Sequence, residues 1–248
     1  MANPLEQFEI VRMVPLEIAG IDASITNAAI WMMIVITAVT VFLMGGMRRG
    51  ALVPGRWQSM AELSYEFVAS MVRDNVGSEG RAYFPFVFAL FMFILGANVT
   101  GLIPGAFTVT SHLAVTFAFA AAIFLGVIVI GFARHGLRFF TLFVAPGTPL
   151  AFLPLIVILE VISFCTRPIT HSVRLFANMT AGHILLKVFG GFVVGLGAAG
   201  GIFTVMGVLP LAFNVALTAL ELLVAVIQAY VFAILTCVYL NDAVNLNH

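Results

Sequence analysis

One apolar stretch of this sequence, residues 159–188, carries many ionisable side chains. They are Glu160, Arg167, His171, Arg174, His183 and Lys187. An ionisable group in hydrocarbon costs roughly 2.5–3.5 kcal/mol on insertion scales, so such groups mark an ion or substrate path by default. Each could instead have a structural role: Lys187 could reach a membrane interface, and Arg167 beside Pro168 could mark a helix break. Six such groups in one stretch favour a function.

If this stretch is a single helix, its polar side chains fall on two faces. At about 100° per residue, five of them lie within about 60° of one another. These are Glu160, Arg167, His171, Arg174 and Asn178. His183 lies about 180° from Arg174, with Lys187 near it. The Arg174 guanidinium stays charged at any working pH, so in mid-helix it needs an anionic partner. No acid nearby in the chain is an obvious exclusive one.

A second polar stripe follows near the C-terminus. Asn214, Glu221 and Gln228 are spaced by seven residues, and Tyr239 returns to the same helical face. Glu221 and His183 can both exchange a proton near neutral pH, which a proton relay requires. Asn214 and Gln228 could alternatively serve only to hydrogen-bond neighbouring helices.

The composition indicates a polytopic, all-α membrane protein with one domain. Of the 248 residues, 62% are hydrophobic and 9% are charged, and the formal net charge is zero. A neutral chain gives no electrostatic case for nucleic acid. Cys165 and Cys237 are too few for a four-ligand metal site. HExxH, P-loop and GxSxG motifs are missing, so we predict no cofactor. No cleavable signal is evident, and the first span is expected to direct insertion.

Charge-free runs predict five membrane-embedded segments and one surface helix. The spans are 26–47, 83–103 and 111–133, the surface helix is 57–76, and the last two segments are 149–194 and 202–241. Segment 57–76 has apolar residues at three-to-four spacing, typical of an amphipathic helix on the membrane surface, although a partner-binding helix is compatible with the same pattern. Arginines after the first and third spans predict that those ends are cytoplasmic. Residues 1–25 are then external, and the C-terminus is cytoplasmic.

The last two segments are too long for upright spans. Residues 202–241 would measure about 60 Å as one helix, against roughly 30 Å of hydrocarbon. Unless Pro210 breaks it, such a helix tilts by about 60° from the membrane normal. The same argument applies to 149–194, where Pro168 could bend the helix. The glycine-rich stretch 195–201 is expected to form the turn of a long, steeply tilted hairpin.

Two motifs resemble a known family. The run from His171 to His183, HSVRLFANMTAGH, is similar to the signature of the F-type ATP synthase a subunit. Glu221–Leu222–Leu223 followed by QAYVF at 228–232 is similar to the last helix of that family, and the resemblance extends over most of the chain, including the GLIP turn at 101–104. It implies a stator that conducts protons past a rotating ring of small subunits, the c-ring. It also implies b-type peripheral-stalk subunits and, indirectly, the catalytic F1 sector as partners.

The resemblance also implies residue roles. Arg174 resembles the arginine that faces the ring carboxylate and separates two half-channels, with Asn178 and Gln228 as its polar neighbours. Glu160 resembles an acid near the cytoplasmic exit. His183 and Glu221 resemble the pair lining the outer entry channel, in the mitochondrial and alphaproteobacterial arrangement. A sodium-driven member stays open, because ion choice lies mainly in the ring.

These observations predict a proton-translocating subunit, without catalysis of its own, in a bacterial inner membrane. The candidate site comprises Arg174, Glu221, His183, Asn178, Gln228, Glu160, Asn214 and His171. A secondary transporter is a rival reading, but it would usually show internal repeats and a self-contained acidic site. An intramembrane hydrolase is a second rival, which lacks its nucleophile and base motifs here.

Overall fold

The architecture is helical, as expected. A computed structural model of the chain describes residues 10–15, 17–18, 21–22, 24–48, 50–51, 53–103, 105–144 and 152–245. Its helices are α1 (Asn27–Met47), α2 (Arg56–Val76), α3 (Phe84–Gly101), α4 (Leu113–His135), α5 (Leu153–Ala199), α6 (Ile202–Met206) and α7 (Val208–Val244). Within the described residues, five helical segments are long and apolar enough to cross a membrane. The all-helical fold with long last helices is thereby confirmed.

Short antiparallel strands precede α1, which the sequence did not predict. β1 (Arg12–Val14) pairs with β4 (Ile25–Thr26), and β2 (Glu17–Ile18) pairs with β3 (Ile21–Asp22). Apart from Thr26, they lie in the segment 1–25 that was expected to be external. Residues 1–9 and 246–248 lie outside the described part of the chain. The external location of the N-terminus and the cytoplasmic location of the C-terminus therefore stay predictions.

The turn between the last two long helices is shorter than expected. The glycine-rich stretch 195–201 was predicted as the turn, but α5 continues as a helix to Ala199. Within this stretch, only Gly200 and Gly201 adopt positive φ, 73° and 60°, the left-handed region that favours glycine. The other glycines of the stretch keep the helical conformation because no reversal is needed there.

Neither Pro168 nor Pro210 interrupts a helix. Pro168 lies inside the 47-residue α5, which runs through it without a break. Pro210 lies in the first turn of α7, where its missing N–H has no helical partner to lose. The break falls instead at Gly207, between α6 and α7. At 1.5 Å per residue α5 is about 70 Å long, so its steep tilt in a bilayer stays a prediction from length.

Two compact units are formed, and four helices contribute to both. The first unit comprises Met1–Val41, Phe93–His112 and Leu175–Ala229. The second comprises Phe42–Met92, Leu113–Arg174 and Tyr230–His248.

In the first unit, small residues and aromatic stacking bring helices together. A Cβ at Gly96 of α3 would lie 2.8 Å from a Val39 methyl of α1, so only glycine allows this approach. Phe189 of α5 stacks on Phe213 of α7 with ring centroids 5.7 Å apart. This pairing positions the polar residues that the same two helices carry.

In the second unit, Phe139 is the central aromatic side chain. It belongs to a 3₁₀ segment after α4, is 2% exposed, and packs against Phe132 and Phe164. A side chain at Gly131 would collide with its ring. The end of α7 is fixed by polar contacts: His135 hydrogen-bonds the Val244 carbonyl at 3.1 Å, and Asn245 donates to the Val76 carbonyl at 3.3 Å.

Candidate functional site

The first unit buries an acid beside a histidine. Glu221 on α7 and His183 on α5 are 4% and 6% exposed, and their Oε1 and Nδ1 atoms are 3.3 Å apart. The distance is that of a close pair, but neither carboxyl oxygen of Glu221 makes a hydrogen bond of good geometry to a residue that the structure describes. The carboxyl therefore keeps acceptor capacity for a proton or a water molecule.

The other ring nitrogen of His183 contacts a hydroxyl. Its Nε2 atom lies 2.9 Å from Oγ1 of Thr108, in the connection between α3 and α4. Thr108 is itself buried, and Ser111 donates to its carbonyl at 2.6 Å. The imidazole thus lies between a hydroxyl on one side and a carboxyl on the other. Since each ring nitrogen can donate or accept, this arrangement can pass a proton through the ring.

A buried asparagine fixes this connection to two helices. Asn98 of α3 is fully buried, donates to the Ala225 carbonyl of α7 at 3.1 Å, and accepts from Thr110 at 2.8 Å. Ala225 is one turn beyond Glu221. Asn98 and Thr110 therefore hold the connection, with its Thr108, against the part of α7 that carries the acid.

A missing side chain makes room for the acid. A Cβ at Gly182 would lie 2.8 Å from Oε1 and 3.0 Å from Cδ of Glu221. Only glycine, which has no Cβ, permits the carboxyl to lie directly against α5 in this position. The residue just before His183 thereby sets how closely the histidine and the acid can approach.

Sequence analysis did not name Thr108, Asn98, Thr110 or Gly182 as site residues. A usable signal was present for the connection: the polar run TVTSH at 108–112 lies between two apolar spans. Buried hydroxyls in such a position need partners, which argues for contact with other polar residues.

The remaining predicted polar residues of the first unit, Asn214, Gln228 and Asn178, differ in their burial. Asn214 is half-buried with a buried Oδ1 that has no hydrogen-bond partner among the described residues. Gln228 is buried, and Asn178 is exposed. Neither carboxyl oxygen of Glu221 makes a hydrogen bond with any of these three side chains.

In the second unit, the residues of the predicted polar face of α5 differ in how deeply they are buried. Arg174 is exposed and makes no hydrogen bond or ion pair with any residue that the structure describes. His171 is 4% exposed, and its ring lies 3.7 Å from that of Phe232, centroid to centroid. Glu160 is half-buried. The structure therefore presents Arg174 outward, available to an anion, while His171 packs inward.

Arg167 has a partner that the sequence did not suggest. Its Nη1 atom lies 2.6 Å from Oδ2 of Asp242 near the end of α7. The guanidinium also lies over two rings, 5.2 Å from the centroid of Tyr239 and 5.4 Å from that of Phe164. The reading of Arg167 as the marker of a helix break is wrong, because α5 continues through Pro168 and the arginine joins α5 to α7.

Comparison with known families decides the identity. The family model described as ATP synthase A chain matches residues 28–241. The chain belongs to this family. An ATP synthase subunit a from Parvibaculum lavamentivorans is 56% identical to it, covering 99% of this chain and 95% of the relative. One from Paramagnetospirillum magneticum is 53% identical over all of both chains, and one from Mesorhizobium japonicum is 55% identical over 99% and 98%.

Membership in the ATP synthase A chain family confirms the function predicted from sequence. The chain is a multi-pass membrane subunit of the Fo sector of a bacterial F-type ATP synthase. It is a proton-channel subunit and not part of the catalytic F1 sector. Its relatives are alphaproteobacterial, as the order of His183 and Glu221 suggested. The rival readings as a secondary transporter or an intramembrane hydrolase are thereby set aside.

Proposed function

We propose that the Thr108–His183–Glu221 cluster forms the inner end of the proton entry path of this subunit. The observation that carries the proposal is the placement of His183 between a hydroxyl at 2.9 Å and a carboxyl at 3.3 Å. Both ionisable groups are buried, and the carboxyl lacks a hydrogen-bonded partner among the described residues. A carboxyl group that no hydrogen bond holds in one protonation state can accept a proton and give it up again.

Arg174 is the separator between entry and exit. It is an outward-facing, permanently charged group on an apolar helix, so it is suited to attract an ionised carboxylate of a rotating c-ring. A neutral ring site can cross lipid cheaply, whereas a charged one cannot. The exit lies on the Glu160 side, and Asn178, Gln228, Asn214 and His171 are polar neighbours of the path. Each proton crossing 100 mV then provides about 2.3 kcal/mol for rotation.

The orientation and the remaining partners complete the proposal. The N-terminus is external and the C-terminus cytoplasmic, because Arg48, Arg134 and Arg138 all follow spans that would end inside. Besides the c-ring, the subunit contacts b-type subunits of a peripheral stalk, which connect it to F1. The coupling ion is the proton, since the imidazole of His183 beside the Glu221 carboxyl can exchange protons, whereas a ring nitrogen is a poor ligand for a hard cation such as sodium.

The entry path is tested by Glu221→Gln in the assembled complex. The amide has nearly the shape of the carboxyl but cannot titrate, so proton-driven ATP synthesis in inverted membrane vesicles should fall by about a hundredfold. Glu79→Gln is the matched control, because Glu79 is an exposed acid whose partner is Arg134. It should stay within about twofold of wild type, as surface pairs contribute little. Unchanged synthesis and an unchanged pH profile in Glu221→Gln would remove the cluster from the path.

A further inference from the structure

A pocket in the second unit has a composition that neither the spans nor the proposed proton path explains. It has a volume of about 610 Å³ and opens between the C-terminal half of α2 and the start of α3. Its lining includes Arg73, Ser78, Arg81, Tyr65, Phe84 and Pro85. Cationic and hydroxyl groups thus line a pocket that also has an aromatic and apolar wall.

The turn that carries Ser78 and Arg81 is held in place. Gly77 ends α2 with φ of 80°, which favours glycine. A Cβ at Gly80 would lie 2.7 Å from Cβ of Val76, so the turn packs directly on the last turn of α2. On the other side, Tyr65 and Phe84 meet edge to face with ring centroids 4.7 Å apart. The pocket is therefore formed by fixed backbone and rings, with Arg73 and Arg81 in its lining.

The positive charge of this pocket is not neutralised within the described residues. Glu79, the acid in the same turn, is 2.5 Å from Nη1 of Arg134. Arg73 and Arg81 form no ion pair with any residue that the structure describes, and the residues lining the pocket include no acid. Two guanidinium groups in one pocket match a phosphate, which they can bind through charge-assisted hydrogen bonds.

The position of the pocket along the chain indicates where the phosphate comes from. α2 is amphipathic, with Ala61, Val68, Met71, Val72 and Val76 on its buried side. The apolar α3 begins at Phe84, so the pocket lies where the chain enters the bilayer. We propose that this pocket binds the headgroup of an anionic phospholipid, with Arg73 and Arg81 on the phosphate and the Tyr65–Phe84 wall beside the first acyl carbons. This lipid site is independent of the proton path.

The test is a lipid titration of the purified full chain in detergent, followed by native mass spectrometry. The lipids are phosphatidylglycerol and phosphatidylcholine, and glycerol 3-phosphate represents a free phosphate. Each arginine contributes roughly fivefold to affinity for an anionic lipid, so Arg73→Gln with Arg81→Gln should weaken phosphatidylglycerol binding roughly 30-fold. Arg138→Gln is the matched control, because Arg138 is exposed and does not line the pocket. It should bind like wild type.

Several outcomes would overturn the proposal. Equal binding of phosphatidylglycerol by wild type and the double variant would do so, and so would an equal loss in Arg138→Gln, which indicates diffuse charge. Glycerol 3-phosphate binding as tightly as the lipid would identify a soluble phosphate as the ligand. A double Arg→Lys variant at positions 73 and 81 should keep most of the affinity, which separates lost charge from lost folding. Lipid retained by the isolated chain but missing at this site in the assembled synthase would assign the pocket to a neighbouring subunit.

Discussion

The helices α5 and α7 are joined by two acid–base pairs, one in each unit, and the pairs differ in kind. In the first unit, Glu221 and His183 are 3.3 Å apart without a hydrogen bond of good geometry, and their side chains are 3% and 8% exposed. In the second, Asp242 and Arg167 are 2.6 Å apart and hydrogen-bonded, with side chains 15% and 26% exposed. The more deeply buried pair is the more weakly bonded one.

The difference separates a working pair from a structural one. Arginine cannot give up its proton, and a carboxylate bonded to it is held in its ionised form. Arg167 and Asp242 can therefore lock two helices but cannot pass a proton. Histidine can give up its proton, and neither carboxyl oxygen of Glu221 accepts a hydrogen bond from a residue that the structure describes. A proton path needs a pair such as His183 and Glu221, whereas a fixed contact between helices needs a pair such as Arg167 and Asp242.

Among the changes that test the difference between the two pairs, Gly182→Ala should have the largest effect on ATP synthesis. The new Cβ would lie 2.8 Å from Oε1 of Glu221, so the carboxyl must move away from α5 and from His183. We expect ATP synthesis to fall by about tenfold or more while the complex still assembles, since the change is one methyl group. Gly126→Ala in α4 is the control, because nothing lies within 4 Å of its added Cβ. Normal synthesis by the Gly182→Ala complex would show that the spacing of His183 and Glu221 is unimportant.

A smaller effect is expected from Thr108→Val. Valine matches the shape of threonine but removes the hydroxyl that lies 2.9 Å from Nε2 of His183. One hydrogen bond is worth about 1 kcal/mol, so synthesis should fall by roughly fivefold, with a changed pH profile. Thr108→Ser restores the hydroxyl and should recover most of the rate. If the serine variant is as slow as the valine variant, Thr108 acts through packing and not as a proton partner.

The smallest effect on synthesis should follow from breaking the other pair. Asp242→Asn leaves Arg167 with a neutral partner, and we expect the free energy of unfolding to drop by about 1–2 kcal/mol, less than for a fully buried pair. Synthesis by complexes that do assemble should stay within about threefold of wild type. The exchange Arg167→Asp with Asp242→Arg should recover the stability, measured by thermal melting of the complex. A proton leak in Asp242→Asn would instead place this pair on the path.

Much of the fold could be predicted because it follows from hydrophobic length. The charge-free runs mark the spans, and the helical period places Arg174 and His183 on opposite sides of α5. Gly200 and Gly201 could not be distinguished from the other glycines of their stretch, since composition does not show which residue needs positive φ. The Arg167–Asp242 pair was missed because its partners are 75 residues apart, beyond any local spacing rule.

The site was predicted in its ionisable members and missed in its neutral ones. Glu221 and His183 stand out because charge is rare in an apolar helix. Asn98 and Thr108 are ordinary residues whose importance comes from tertiary contacts, 3.1 Å to the Ala225 carbonyl and 2.9 Å to His183. His171 shares the predicted polar face, yet it is buried against Phe232. The helical period shows which residues share a face, but the neighbouring helices decide which residues of that face become buried.

Arg174 is the residue on which the whole account depends, and its removal gives the most direct measurement. In assembled complexes with Arg174→Ala, reconstituted in vesicles without ATP, passive proton flux is recorded under an imposed membrane potential. The account predicts no ATP synthesis together with a proton leak, because no fixed charge separates entry from exit. Arg174→Lys keeps a charge without the planar guanidinium, so it should be severely impaired but leak less. An assembled Arg174→Ala complex that still couples proton flow to ATP synthesis would contradict the central role of this arginine.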